Sequence, residues 1–225
     1  MAPGRLIVFE GAEGVGKSTQ LRRLAAALEA RGVAHRVVRE PGQTPAGDEI
    51  RRLLLDPASD LVPRAEALLF MASRAQLVER ELRPALARGE IVLADRFFLS
   101  TYAYQAAGRG LPIDGVRAAN ALATDGLVPD LTLLLDFPVA EGLARASARG
   151  GHDRMERSGD DFHARVGAAF ASFARPEWQR AHPEVGPVAT VDARGGEADV
   201  FARVERELAG RWRETFGSLR ESHAP

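Results

Sequence analysis

The 225-residue chain has no cysteine, which removes disulfides, thiolate metal sites and cysteine nucleophiles together. Nor does it carry an excess of charge. Lys and Arg number 30 against 31 Asp and Glu, so no global basic field draws nucleic acid to it, and each arginine must be judged by position. No uninterrupted apolar run approaches the roughly 18–20 residues of a membrane span. The opening MAPGRLIVFEG enters an apolar run at once, without the layout of a secretory leader. The five histidines lack metal-ligand spacing. No internal repeat, low-complexity tract or linker divides the chain. These absences predict a soluble, cytoplasmic protein without nucleic-acid or membrane partners, folded as one domain over residues 1–215 with a tail at 216–225.

What is present is an alternation of strand-like and helical stretches. RLIVFE, HRVVRE, IVLADR, LTLLLDF and PVATVDA are short apolar runs of strand length. Between them apolar residues recur at helical spacing, as Leu21, Leu24, Ala25 and Leu28 do before Gly32. Helices are expected around DEIRRLLLD, over PRAEALLFMASRAQLVERELRPALARG with Pro84 kinking or dividing it, and over ADVFARVERELAGRWRET. Such alternation predicts an α/β fold, a five-stranded parallel sheet covered by helices on both faces.

The first strand runs into GAEGVGKS, Gly11 to Ser18, which fits G-x-x-x-x-G-K-[ST]. The glycines let backbone N–H groups converge on phosphate oxygens, and the helix that follows adds its N-terminal dipole. This P-loop makes Gly11, Ala12, Glu13, Gly14, Val15, Gly16, Lys17, Ser18 and the adjoining Thr19 the expected nucleotide-binding residues. Lys17 is placed to reach the β- and γ-phosphates and Ser18 to hold Mg²⁺.

A P-loop alone serves switches, motors and kinases, so the second half of the site must discriminate. Asp95-Arg96 closes the strand IVLADR, and the carboxyl ends of parallel strands are where ligands bind in open α/β sheets. An aspartate there suits Mg²⁺ or its water, and an arginine beside it suits a bidentate grip on phosphate. Phe70 and Arg74 are four apart in a helical pattern and share a face. That pairing fits a stacked base, although a phenylalanine within ALLF is more often plain core, and the residues alone favour that reading.

Six stretches then fall in a recognisable order: FEGAEGVGKST, REPGQTP followed by Arg51, LLFMASRAQL, ADRFFLSTYAYQ, LLLDFP and ARGGHDRME. Through them, over about residues 5–212, the chain resembles the thymidylate kinase family, P-loop enzymes that phosphorylate dTMP with ATP. The resemblance implies that Phe70 is the thymine platform, Arg74 the donor to its O4, and Thr101 and Gln105 further neighbours of the base. It implies that Tyr104 stands where a ribose 2′-hydroxyl would collide, that Arg51 and Arg96 bind the dTMP phosphate, and that Glu13 faces the 3′-hydroxyl or a metal-bound water. Mg²⁺ would sit on Ser18 and Asp95, and the family suggests a homodimer. The REPG turn departs from the pattern at Gln43, where a second glycine is common; Glu40-Pro41 within it suits a fixed, cis-compatible turn.

Some members carry a catalytic arginine inside the P-loop, and this loop has none. An arginine that stabilises a transferring phosphoryl group is worth roughly 10³–10⁵ in rate. The segment RASARGGHDRMERSGDD offers Arg145, Arg149, Arg154 and Arg157, with Gly150-Gly151 as a hinge. It resembles the bacterial arrangement, in which a lid (about residues 145–160) closes over ATP; Arg149 and Arg154 match its arginines. With Lys17 and Arg96 they form the expected catalytic set. The rivals are a kinase for another monophosphate or a deoxynucleoside, a P-loop switch or motor, and a nucleic-acid-dependent ATPase.

Overall fold

The computed structural model describes residues 4–148, 154, 155 and 157–217. Strands β1 (Arg5–Glu10), β2 (His35–Arg39), β3 (Ile91–Asp95), β4 (Leu131–Asp136) and β5 (Val188–Asp192) form one sheet. Its order is β2-β3-β1-β4-β5, parallel throughout. The three central strands are buried almost end to end, which is why they read as continuous apolar runs. The edge strands β2 and β5 are covered less evenly and carry polar residues.

Helices flank the sheet: α1 (Lys17–Glu29), α2 (Pro45–Leu55), α3 (Pro63–Leu77), α4 (Arg83–Ala87), α5 (Phe98–Thr101), α6 (Ile113–Thr124), α7 (Val139–Ser147), α8 (Asp160–Phe173), α9 (Pro176–Ala181), α10 (Glu197–Arg211) and α11 (Arg213–Phe216). The expected strands all form. Among the helices, α2 starts three residues before the DEIRRLLLD expectation. Thr44 caps it, its hydroxyl accepting from the Gly47 N–H at 3.0 Å, and Pro45 takes the first helical position. Pro84 divides the long helix by way of the turn before it. Val78–Leu82 widens to i→i+5 bonding between α3 and α4, which accommodates a ring that clashes with the carbonyl four residues back and offers no N–H.

A second widened turn, Tyr102–Gly108, continues α5. No proline or other distinctive residue marks it in the sequence. At the C-terminus Phe216 is fully buried in the main core.

Candidate active site

β1 delivers the P-loop to the carboxyl edge of the sheet, where Phe9 pairs with Asp95 of β3 and with Leu133 of β4. Gly14 needs a left-handed backbone (φ +71°), and a Cβ there would lie 1.9 Å from the carbonyl oxygen of Gly142 in α7. Ala12 and Val15 face inward and are buried. Lys17 Nζ donates to the Gly11 and Ala12 carbonyls at 2.9 and 2.7 Å. Burial, followed by the nearby Arg96 cation, lowers its pKa to about 8. Ser18 Oγ donates to Asp95 Oδ2 at 2.6 Å, joining the start of α1 to the end of β3, 77 residues away in sequence.

Opposite the loop, Arg96 adopts φ +74°, an uncommon conformation for a bulky residue. Its Nη2 donates to Glu13 Oε1 at 2.6 Å and its Nη1 to Ser100 Oγ at 2.9 Å. Burial opposes the Arg96 charge, but Glu13, Tyr104, Asp95 and Glu10 outweigh it and raise the pKa above the ordinary arginine value. The Tyr104 hydroxyl also donates to Glu13, at 2.8 Å. Burial and the Glu13 charge push the Tyr104 phenol well up against the pull of Arg96. Arg51 Nη1 donates to the Pro41 carbonyl at 2.9 Å. The Glu40-Pro41 bond is cis, and Gln43 takes φ +77°, so the backbone keeps a glycine-like path at the position where the sequence departs from the family.

One cleft of about 390 Å³ unites these groups with Phe70, Arg74, Thr101 and Gln105. Gly14, Gly16 and Thr19 line it on the loop side. Phe70 is half-buried and lines the cleft. Arg74 is 2% exposed, and all five of its donors have protein partners. Nε and Nη2 serve Glu40, the remaining Nη2 proton serves the Phe97 carbonyl, and Nη1 serves Thr101 Oγ1 and Asn120 Oδ1. Arg74 could therefore serve a ligand only by sharing an N–H that already has a protein partner.

Arg154 does not line this cleft. Its Nε donates to the Leu54 carbonyl at 2.8 Å and its Nη2 to Glu66 Oε2 at 2.7 Å. The neighbouring Met155 reaches the cleft instead. Arg145 stacks 4.0 Å over the Phe137 ring. Arg149 and the Gly150-Gly151 hinge lie outside the described residues.

Three residues that sequence reasoning missed hold the site in shape. Glu10, fully buried, accepts from the Phe97 and Ser100 N–H groups at 2.8 and 3.0 Å and so anchors the start of α5. Gly142 allows α7 to meet the P-loop. Glu66, also fully buried, gathers Gln105, Arg109 and Arg154. A usable signal existed for Glu66 alone: it lies four residues before Phe70, a lone acid on the inner face of α3.

Comparison with known proteins agrees with this geometry. The thymidylate kinase family model matches residues 9–183. The chain is 52% identical over 180 residues to the thymidylate kinase of Deinococcus radiodurans, covering 80% of this chain and 87% of the relative. It is 42% identical over 207 residues to that of Carboxydothermus hydrogenoformans, covering 92% and 98%, and 44% identical over 210 residues to that of Rhizorhabdus wittichii, covering 92% and 98%. A family model matching residues 9–183 and relatives 42–52% identical over most of the chain assign the protein to the thymidylate kinase family.

Proposed function

We propose that this kinase transfers the γ-phosphate of ATP to dTMP, giving dTDP and ADP on the way to dTTP, by direct in-line displacement. The observation that carries the reading is the single cleft in which the P-loop faces Arg51, Arg96 and the Phe70–Gln105 pocket. An acceptor already bearing phosphate explains the two arginines, which a nucleoside kinase, a switch or a motor does not need.

An oxygen of the dTMP phosphate attacks the γ-phosphorus, and the bond to the β,γ-bridging oxygen breaks with its electrons leaving on ADP. Positioning and electrostatics carry such a reaction, and no covalent enzyme intermediate is required. Lys17 turns from the Gly11 and Ala12 carbonyls to the β- and γ-oxygens. Arg96 exchanges Glu13 for the acceptor phosphate, with Arg51 beside it. Phe70 stacks on thymine, Thr101 and Gln105 meet its edge, and Arg74 adds O4 by sharing an N–H. Tyr104 blocks a ribose 2′-hydroxyl. Arg149 and Arg154 complete the charge over the γ-phosphate once the lid closes and excludes water, so Arg154 has to leave Glu66 during the cycle.

Ser18 and Asp95 present an all-oxygen pair suited to a hard cation. Among the described residues no group of three or more His, Cys, Asp or Glu converges as a metal cage, which fits Mg²⁺ held chiefly by nucleotide and water. When bound, Mg²⁺ neutralises charge on the β- and γ-phosphates.

A homodimer is supported by large apolar side chains exposed on adjacent helices, Leu68 of α3 (64%) and Leu122 of α6 (86%). We assign the protein to the cytoplasm; among the described residues no helix is long and apolar enough to cross a membrane.

The test is ADP formation from Mg-ATP alone and with dTMP, dUMP, dCMP, dGMP or UMP. The expected result is a low rate alone that rises most with dTMP. A rate indifferent to every monophosphate overturns the reading in favour of a switch or ATPase.

A further inference from the structure

We infer that Glu66 is a positioning residue for base selection: by fixing which end of the Gln105 carboxamide faces the cleft, it makes the enzyme read a ring N3–H. This deepens the reading above and rests on the base lying against Phe70 and Gln105.

Glu66 is fully buried and collects three donor side chains. Gln105 Nε2 donates to its Oε1 at 3.0 Å, Arg109 Nε lies 3.1 Å from both oxygens, and Arg154 Nη2 donates to Oε2 at 2.7 Å. Burial opposes its ionisation most strongly, yet the bonds from Arg109, Gln105 and Arg154 prevail and hold the carboxyl below its ordinary range. An ionised carboxylate only accepts hydrogen bonds, so Gln105 must turn its NH₂ toward it. The reversed amide would set two acceptors against each other at hydrogen-bond distance, in a place closed to water. The orientation is therefore dictated by chemistry rather than by a choice between two similar atoms.

The consequence falls on the other end of the amide. Gln105 lines the cleft. Its Oε1 accepts no hydrogen bond from the described residues, yet it is not sealed from solvent. The cleft is thus offered a fixed acceptor. Thymine and uracil carry a donor at N3, and cytosine carries an acceptor there. A rigid carbonyl oxygen welcomes the first two and repels the third. An unrestrained glutamine would rotate its amide and accept either, because each orientation satisfies one edge. Glu66 removes that freedom without touching the substrate.

The experiment is Glu66→Gln, with kcat/KM measured for dTMP and dCMP beside the wild type. A neutral amide at 66 can donate to Gln105 Oε1 and so permits the flip. The expected result is a dTMP-over-dCMP preference lowered about 10- to 100-fold, the worth of one hydrogen bond left unmade, with an absolute rise in dCMP turnover. Damage to the fold cannot produce that rise. An unchanged preference in a folded variant overturns the proposal. If Glu66→Gln does not fold, the charge-conserving exchange Glu66→Gln with Gln105→Glu carries the test, since a carboxylate at 105 has no amide to flip. Retained rejection of dCMP then supports the proposal, and equal use of dCMP and dTMP overturns it. A wild type that ignores dTMP would be a failure of the proposed function, distinguishable because it appears before any substitution.

Discussion

Gly14 and Gly142 meet backbone to backbone. A Cβ on Gly14 would stand 1.9 Å from the Gly142 oxygen, and a Cβ on Gly142 would stand 2.4 Å from the oxygen of Glu13. The P-loop is thus braced by α7 through a contact that admits no side chain on either partner.

Gly142→Ala should therefore push the loop away from α7. Overpacking of this kind costs about 1–3 kcal/mol, and in a chain of this size each kcal/mol lowers Tm by about 2–4 °C. The melting temperature should fall and KM for ATP should rise, while dTMP binding changes less. A variant with wild-type melting and wild-type ATP kinetics would contradict the contact.

Lys17 links ATP binding to pH. In the free protein burial and Arg96 bring its pKa to about 8; a bound triphosphate favours the ammonium and raises that value. Binding is then fully favourable below about pH 8 and weakens as pH climbs from the free toward the bound pKa. KM for ATP should increase across that window, by at most about tenfold per pH unit for one proton. A flat profile from about pH 7 to 9.5 would remove Lys17 from the phosphate contact. Lys17→Ala should nearly abolish transfer while leaving the fold intact, and wild-type turnover in the folded variant would say the same.

Arg154→Ala separates a transfer role from a structural one. If the lid brings Arg154 to the γ-phosphate, single-turnover rate should fall by on the order of 10³ or more, with little change in dTMP affinity. If Arg154 serves only Glu66, the rate should hold and thermal stability alone should drop modestly, since Arg109 and Gln105 still satisfy that carboxylate.

The thymine methyl should matter little beside the ring edge. One methyl group in an apolar pocket is worth about 1–3 kcal/mol, so dUMP should be a poorer but measurable substrate, some 10- to 200-fold down in kcat/KM. Equal values for dUMP and dTMP would show that no pocket is fitted to the methyl.

The sheet and the P-loop were legible because their signals are local. Central strands buried on both faces read as unbroken apolar runs, and a phosphate loop needs its glycines and lysine at fixed spacing. Phe70 and Arg74 were legible as a pair through helix periodicity, though not the way Arg74 commits all its donors to protein partners. That commitment, like the Glu66 cluster, depends on side chains distant in sequence: Glu66 meets Gln105 across 39 positions and Arg154 across 88. Gly142 gives no sign in α7 that it faces Glu13. The widened turn at Val78–Leu82 follows from Pro84, yet the sequence fits a simple kink equally well.

The Arg96–Glu13 pair has one more implication. Before any nucleotide arrives, Arg96 already has an anion, supplied by the protein at 2.6 Å. If Arg96 binds the acceptor phosphate as proposed, its entry is an exchange of counter-ions rather than the filling of a bare positive hole. A phosphate of two negative charges outbids a single carboxylate, whereas an uncharged nucleoside brings nothing with which to displace it. On the proposed reading the resident glutamate would act as a valence filter, reserving the arginine for molecules that have already been phosphorylated once.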